Sequence, residues 1–128
     1  KALLQADLFK LDSRILAFTS EGSHKSQFYY AAVSAAKATL ESIVRSLALE
    51  LAPYQIKANC IQAGTTETAA LRRIPNSADL IEYSKKRNPY NRLTTPEDIG
   101  KVVFLMTMDE SSWINGSIIP VDGGEHLR

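Results

Sequence analysis

Tyr30 and Lys37 are the two residues whose types and spacing could support chemistry. They lie seven residues apart in a long helical segment that begins at Phe28 and ends at Ala52. Seven residues are about two helical turns, so a phenol and an ammonium would share one side of one rigid element, about 10 Å apart along its axis. A neighbouring cation makes the phenol a better hydrogen-bond donor toward a developing oxyanion. Tyr and Lys are common, so the spacing also arises by chance, and the surrounding sequence must decide.

Three apolar runs predict the strands that position this pair, at residues 14–19, 57–62 and 117–122. The long helical segment separates the first two runs. A second helix precedes the third run, where Thr95 can cap and Pro96 suits the first helical position. Strand, helix, strand, helix, strand is the order of a parallel sheet, so the sequence predicts an α/β fold with continuous buried strands. The polar, proline-broken segment 65–92 follows the second strand and is predicted to be a substrate lid.

Further candidate site residues stand where the predicted strands end. Ser20 ends the first strand, and its hydroxyl either reaches the same spot as Tyr30 or merely closes the strand. Gly64 follows the second strand and allows close backbone approach. The hydroxyl and N–H groups of Thr66 and Thr68 could bind an amide or a phosphate.

Composition excludes several classes of function. The 15 Lys and Arg residues against 14 Asp and Glu are spread along 128 residues, without the clustered basic face that nucleic acid requires. No apolar run approaches the roughly 18 residues that span a membrane. The two histidines and Cys60 have no metal-ligand spacing, so no metal is predicted. A single cysteine predicts a reducing compartment, hence a cytoplasmic protein.

The ordered set of these motifs resembles the short-chain dehydrogenase/reductase superfamily. The set comprises Ser20, a tyrosine and Lys37 on one helix, Asn59 in a strand, the run 64–68, Thr-Pro-Glu-Asp-Ile-Gly at 95–100, and the run 115–124. Most members carry the tyrosine four residues before the lysine, where this chain has Val33. The spacing from Tyr30 to Lys37 is instead similar to the divergent enoyl-[acyl carrier protein] reductases, as is the segment 71–92.

The resemblance also implies that part of the fold is missing from these residues. The superfamily binds its dinucleotide with a Gly-x-x-x-Gly-x-Gly turn, whereas the glycines here stand at 22, 64, 100, 116, 123 and 124. We therefore expect residues 1–128 to be the carboxyl-terminal half of one doubly wound, Rossmann-like domain. Lys1 is then not a natural start, and the chain alone is expected to be inactive, with apolar surface left uncovered.

The resemblance implies reduction of the 2,3 double bond of an enoyl thioester in fatty acid synthesis, with NADH or NADPH as cofactor and acyl carrier protein as the carrier. Tyr30 would donate to the enolate oxygen, and Lys37 would hold the nicotinamide ribose. Thr66 and Thr68, with Gly64, would lie near the carboxamide and phosphates. Ser20 stands where many members of that branch have a second tyrosine, so its role stays open.

Two other functions compete with this one: a carbonyl or hydroxyl oxidoreductase of the same superfamily, and a truncated, non-catalytic oligomerisation module. A homodimer or homotetramer through the long helix is expected, although its face of small residues can also be a weakly polar exposed face (Ala31, Ala35, Ala38, Ser42 and Leu49). The basic residues at 72–73 and 85–87 are either solvated charge or a contact for the acidic carrier protein. Tyr29 and Trp113 are predicted to pack, and Cys60 to lie in the core.

Overall fold

A three-stranded parallel sheet organises the chain. The computed structural model describes residues 2–6, 8–73 and 76–128. Strand β1 (Arg14–Ser20) pairs with β2 (Lys57–Ala63), and β2 pairs with β3 (Ile118–Val121), in the order β1-β2-β3. The α-helices are α1 (Ala2–Gln5), α2 (Ala31–Leu51), α3 (Ala69–Arg72), α4 (Ser77–Arg87) and α5 (Pro96–Leu105). The predicted α/β order is confirmed, with each predicted strand found within a residue of its bounds.

Helices lie on both faces of the sheet. Alternate side chains of β1 and β2, among them Ala17 and Cys60, pack against Val44 and Ala48 of α2. The intervening side chains point the other way, and there Arg14 donates to the carbonyl of Met106, just beyond α5. Cys60 is buried in the core as predicted. The arrangement is doubly wound, which confirms the predicted Rossmann-like architecture.

Among the strands of the described residues, only β2 is buried at all its interior positions, because it has a neighbouring strand on each side. β1 is partly exposed, with Phe18 about half exposed, so the prediction that it is buried on both faces is wrong for the described residues. The expected uncovered apolar surface is present on this strand and on α5, where Phe104 and Leu105 are exposed.

The long helix begins later than the sequence predicts. Tyr29 has a positive φ of 58°, Tyr30 is the N-cap residue, and α2 starts at Ala31. Tyr29 is fully exposed, so its predicted packing role is wrong, and Trp113 at 97% exposure corrects the same prediction before β3. The sheet-facing side of α2 contains Val44 and Ala48, whereas Val33 and Ile43, which helical periodicity also predicts to face the sheet, are exposed.

The helix that precedes β3, α5, begins as predicted. The Thr95 hydroxyl accepts from the backbone N–H of Asp98, and the Asp98 carboxylate accepts from the backbone N–H of Thr95. These two residues therefore form a capping box, with Pro96 in the first turn of the helix. The prediction that Lys1 is not a natural start concerns a residue that lies outside the described residues. In the described parts of the chain, no helix is long and apolar enough to cross a membrane.

The predicted lid is anchored along part of its length. The described part of segment 65–92 holds α3 and α4, while Ile74 and Pro75 lie outside the described residues. Thr66 pairs with Thr94 in a parallel bridge, and Asn88 donates to the Asp122 carbonyl at 2.8 Å. Both ends of the segment are therefore held by contacts at the sheet edge.

Candidate active site

Ser20 and Tyr30 meet where β1 ends. Gly22 lies between them: a Cβ on Gly22 would stand 2.5 Å from Cε1 of Tyr30 and 3.4 Å from Oγ of Ser20. A glycine is needed here because the Tyr30 ring occupies the space that a side chain would take. Ser20 Oγ is buried and has no hydrogen-bond partner within the described residues. An unsatisfied buried hydroxyl at a strand end is a group that a ligand can pair with.

Lys37 reaches the same strand end from α2. Its Nζ donates to the Phe18 carbonyl at 2.8 Å, two residues before Ser20. Tyr30, two turns earlier, is partly buried, as is Lys37. The structure thus brings all three predicted catalytic residues to the carboxyl end of β1.

One turn beyond Lys37, a buried pair holds α2 to β1. The Thr19 hydroxyl donates to Oε1 of Glu41 at 2.6 Å, and the two residues are 3% and 7% exposed. Burial raises the pKa of the nearby Cys60 thiol, and the Glu41 carboxylate raises it further. Glu41 was not predicted from the sequence to have a role, although its place one turn after Lys37 on the same side of the helix was the available signal.

The loop after β2 carries the predicted cofactor-binding residues Gly64, Thr66 and Thr68. A Cβ on Gly64 would stand 2.8 Å from Cβ of Asp122, so this glycine lets the loop pack on the end of β3. The Thr66 hydroxyl donates to the Gly64 carbonyl, and the Thr68 hydroxyl accepts from the Leu71 N–H. The Thr66 hydroxyl therefore keeps its two acceptor positions, and the Thr68 hydroxyl keeps its donor and one acceptor position.

A largely buried charged cluster, which was not predicted from the sequence, lies behind that loop. Arg87 forms ion pairs with Glu21, which follows β1, and with Glu125, which follows β3. Glu125 is only 2% exposed. Lys25 Nζ also lies 2.9 Å from Glu21. Burial works to raise the pKa of Glu21, but hydrogen bonds from Arg87 and Lys25 outweigh it and hold the pKa below its ordinary value. The prediction of solvated charge at 85–87 is therefore wrong for Arg87.

The donor set offers hydroxyl, phenol and ammonium groups, and no group of metal-ligating side chains occurs in the described ranges. Hydroxyls and an ammonium suit a polar organic ligand that bears hydroxyl and carbonyl oxygens. The site lies at the carboxyl edge of a parallel α/β sheet, where such folds bind their ligands.

Comparison with known proteins defines the class to which this arrangement belongs. The family model described as enoyl-(acyl carrier protein) reductase matches residues 1–126. The chain belongs to this family, within the short-chain dehydrogenase/reductase superfamily that the sequence resembles.

Particular relatives carry the same description. The enoyl-[acyl-carrier-protein] reductase [NADH] FabI of Aquifex aeolicus is 34% identical over 88% of this chain and 42% of its own length, and that of Enterococcus faecalis is 36% identical over 90% and 46%. The solved structure of the Aquifex aeolicus enzyme aligns at a TM-score of 0.85, with 32% identity over 91% of this chain. The chain spans less than half the length of these relatives.

Two further solved structures also align, one of which has a different activity. A promiscuous reductase, LugOII, which catalyses keto-reduction in lugdunomycin biosynthesis, aligns at a TM-score of 0.82 with 27% identity over 98% of this chain and 50% of its own. An enoyl-(acyl-carrier-protein) reductase of Anaplasma phagocytophilum, solved in complex with NAD, aligns at 0.84 with 26% identity over 98% of this chain and 46% of its own. The fold is therefore shared by reductases of more than one substrate.

Proposed function

We propose that the protein carrying this chain is an NADH- or NADPH-dependent enoyl-[acyl carrier protein] reductase, which reduces the 2,3 double bond of an enoyl thioester in fatty acid synthesis. One observation carries the proposal: Tyr30, Lys37 and the unpaired buried hydroxyl of Ser20 all lie near the end of β1. Family membership supplies the reaction class.

Tyr30 is proposed as the donor to the thioester oxygen, on which negative charge develops as the double bond is reduced. Its hydroxyl would hold the proton that this oxygen needs. Ser20 is proposed as a second donor to the same oxygen, because its hydroxyl is buried without a partner beside the Tyr30 ring. These donors act on charge that appears only in the transition state, so they raise turnover more than binding.

The residues present fit a nicotinamide dinucleotide, since an orphaned hydroxyl and an ammonium face one strand end. When bound, that cofactor supplies the hydride. Lys37 would exchange its bond to the Phe18 carbonyl for the ribose hydroxyls. Thr66 and Thr68 would use their remaining hydrogen-bonding positions toward the carboxamide and phosphates, and Gly64 would let their loop lie close.

A second candidate function is reduction or oxidation of a carbonyl or hydroxyl substrate by the same residues. It is favoured by Ser20, a serine where the resemblance leads one to expect a second tyrosine, and by the likeness to a keto-reductase. A non-catalytic oligomerisation module is the third candidate. The small-residue face of α2 is exposed, which supports a homodimer or homotetramer through this helix.

The substrate partner under this proposal is an acyl thioester on acyl carrier protein. Arg73 and Lys86 are exposed on the predicted lid and are available to an acidic carrier, whereas Arg87 is largely buried and held in ion pairs with Glu21 and Glu125. The free, buried Cys60 agrees with a cytoplasmic location.

Steady-state kinetics on the whole protein test the proposal. Tyr30→Phe should lower turnover of a crotonyl thioester by about 10² to 10³, with nucleotide affinity little changed, because one oxyanion donor is lost. Lys37→Ala should weaken nucleotide binding and turnover together. Ser34→Ala, on the same side of α2, is the matched control and should change neither.

Three results would each remove one claim. Reduction of a ketone but not of a crotonyl thioester would favour the second candidate. Failure of the whole protein to bind either nucleotide in a titration would leave the oligomerisation module. Turnover near the wild-type value in Tyr30→Phe would remove this residue from the reaction.

A further inference from the structure

The segments that follow all three strands are joined by one buried polar cluster, here called the Glu125 cluster. It consists of Glu21 after β1, Thr65 after β2, Glu125 after β3, and Ser84 and Arg87 of α4. Arg87 and Glu21 keep 13% and 15% of their side-chain surface exposed, and Glu125 keeps 2%. The cluster therefore lies inside the sheet edge that carries the candidate active site.

Every hydrogen-bonding group of Thr65 has a partner: its N–H, its carbonyl and its hydroxyl. Glu125 accepts from the Thr65 N–H through Oε2 at 2.9 Å and from the Thr65 hydroxyl through Oε1 at 2.8 Å. Ser84 donates to the same hydroxyl at 3.0 Å, and the Thr65 carbonyl accepts from the Thr94 N–H. The residue between Gly64 and Thr66 thus has its backbone and side chain fixed by one carboxylate and its neighbours.

Charge balance explains why a buried glutamate is tolerated at this place. Arg87 lies between Glu21 and Glu125, and Lys25 lies against Glu21 while donating to the His126 carbonyl. Two carboxylates thus face two cations. Buried charges persist where they are paired and hydrogen-bonded in this way. The loop after β2 gains a strong acceptor without a net negative charge beside a ligand that carries phosphates.

We propose that Glu125 is a positioning residue for the nicotinamide dinucleotide: it holds Thr65 so that Gly64, Thr66 and Thr68 are ordered before the cofactor binds, and Arg87 joins this loop to the end of the lid helix α4. This inference rests on the proposed function. If a binding loop is ordered in only a fraction of the molecules, the apparent affinity for the ligand is reduced to that fraction of the intrinsic affinity. Glu125 removes that cost by acting through Thr65, whose N–H and hydroxyl it holds.

Two variants and a matched control test the proposal in the whole protein. In Glu125→Ala, the Kd and KM for the dinucleotide should rise by about tenfold or more, while kcat stays within about twofold, because ordering is required for binding and not for the later chemistry. Glu125→Gln keeps one acceptor oxygen for Thr65 and should fall between this variant and wild type. Glu125 begins the 3-10 helix Glu125–Leu127, and Glu110 is an exposed glutamate in a second 3-10 helix, Asp109–Ser111, so Glu110→Ala is the control and should leave both constants unchanged.

Amide hydrogen exchange gives a readout that needs no activity. The Thr65 N–H should exchange at least about tenfold faster in Glu125→Ala than in wild type, whereas the N–H groups of Cys60 and Ile61 in β2 should keep their protection. A uniform loss of protection in β2 together with Thr65, and a nucleotide affinity unchanged in the folded fraction, would show a merely structural role and overturn the proposal.

The outcomes separate this proposal from the proposed function. If the wild-type protein binds a dinucleotide but does not reduce a crotonyl thioester, the enoyl reductase assignment fails, and the effect of Glu125→Ala on dinucleotide affinity still decides the positioning role. If wild type binds neither NADH nor NADPH, both proposals are overturned. An unchanged affinity in Glu125→Ala overturns the positioning role alone.

Discussion

The buried pair of Thr19 and Glu41 is the sharpest test of how α2 is held to the sheet. Thr19→Val removes the hydroxyl and keeps the shape of the side chain, so the Glu41 carboxylate, 7% exposed, loses a donor at 2.6 Å. Hydrogen bonds to charged groups contribute roughly 1.5–3 kcal/mol, and few waters reach this carboxylate to replace the donor. We expect Thr19→Val to lower the free energy of unfolding by about 2 kcal/mol.

A double-mutant cycle isolates the interaction from the other effects of each change. Glu41→Leu alone should cost about 1 kcal/mol, because the Thr19 hydroxyl is left buried without its acceptor. The double variant, with an apolar residue on each side, should lose less than the sum of the single variants, with a coupling energy of about 1.5 kcal/mol.

The assay is urea unfolding of the whole protein at constant pH, with the dependence on urea checked for each variant. Thr39→Val, at an exposed position of α2, is the control and should stay within about 0.5 kcal/mol of wild type. A coupling energy below about 0.5 kcal/mol would refute the reasoning, because it would mean that solvent or another group satisfies Glu41 as well as Thr19 does.

Three further predictions follow from local geometry. Gly22→Ala should displace the Tyr30 ring, destabilise the protein by roughly 1–3 kcal/mol in thermal unfolding and lower crotonyl-thioester turnover in steady-state kinetics. An unchanged stability together with an unchanged turnover would contradict the contact between Gly22 and Tyr30. The pKa of Glu21 is depressed below 4.5, so its contribution to stability is present above pH 4.5 and is lost as the pH falls through the folded-state pKa. The unfolding free energy of the wild type should therefore drop more steeply below pH 4.5 than that of Glu21→Gln. Equal slopes for the two proteins would count against the ion pairs. Thr95→Ala should cost about 1 kcal/mol by loss of the helix cap, measured by urea unfolding, and no loss would mean that α5 does not depend on this cap.

Local patterns in the sequence were sufficient for the order of elements. Apolar runs bounded by turn residues marked the three strands, and Thr95 with Pro96 marked the start of α5, because capping and strand burial depend on neighbouring residues in the chain. The family followed from motif order and spacing, which are properties of the linear sequence. Ser20, Tyr30 and Lys37 could be expected together because parallel strands end at one edge and a helix places residues seven apart on one side.

Only the tertiary structure decided which side chains are satisfied by distant partners. Glu125 binds Thr65 across 60 residues and Arg87 binds Glu21 across 66 residues, and no local pattern distinguishes such charges from solvated ones. The rotation of α2 was likewise set by the Thr19 to Glu41 bond and by Val44 against β2, which left Val33 and Ile43 exposed. The physical reason is that a buried charge is stable only where the fold supplies its partner, and partners far apart in sequence are brought together by packing alone.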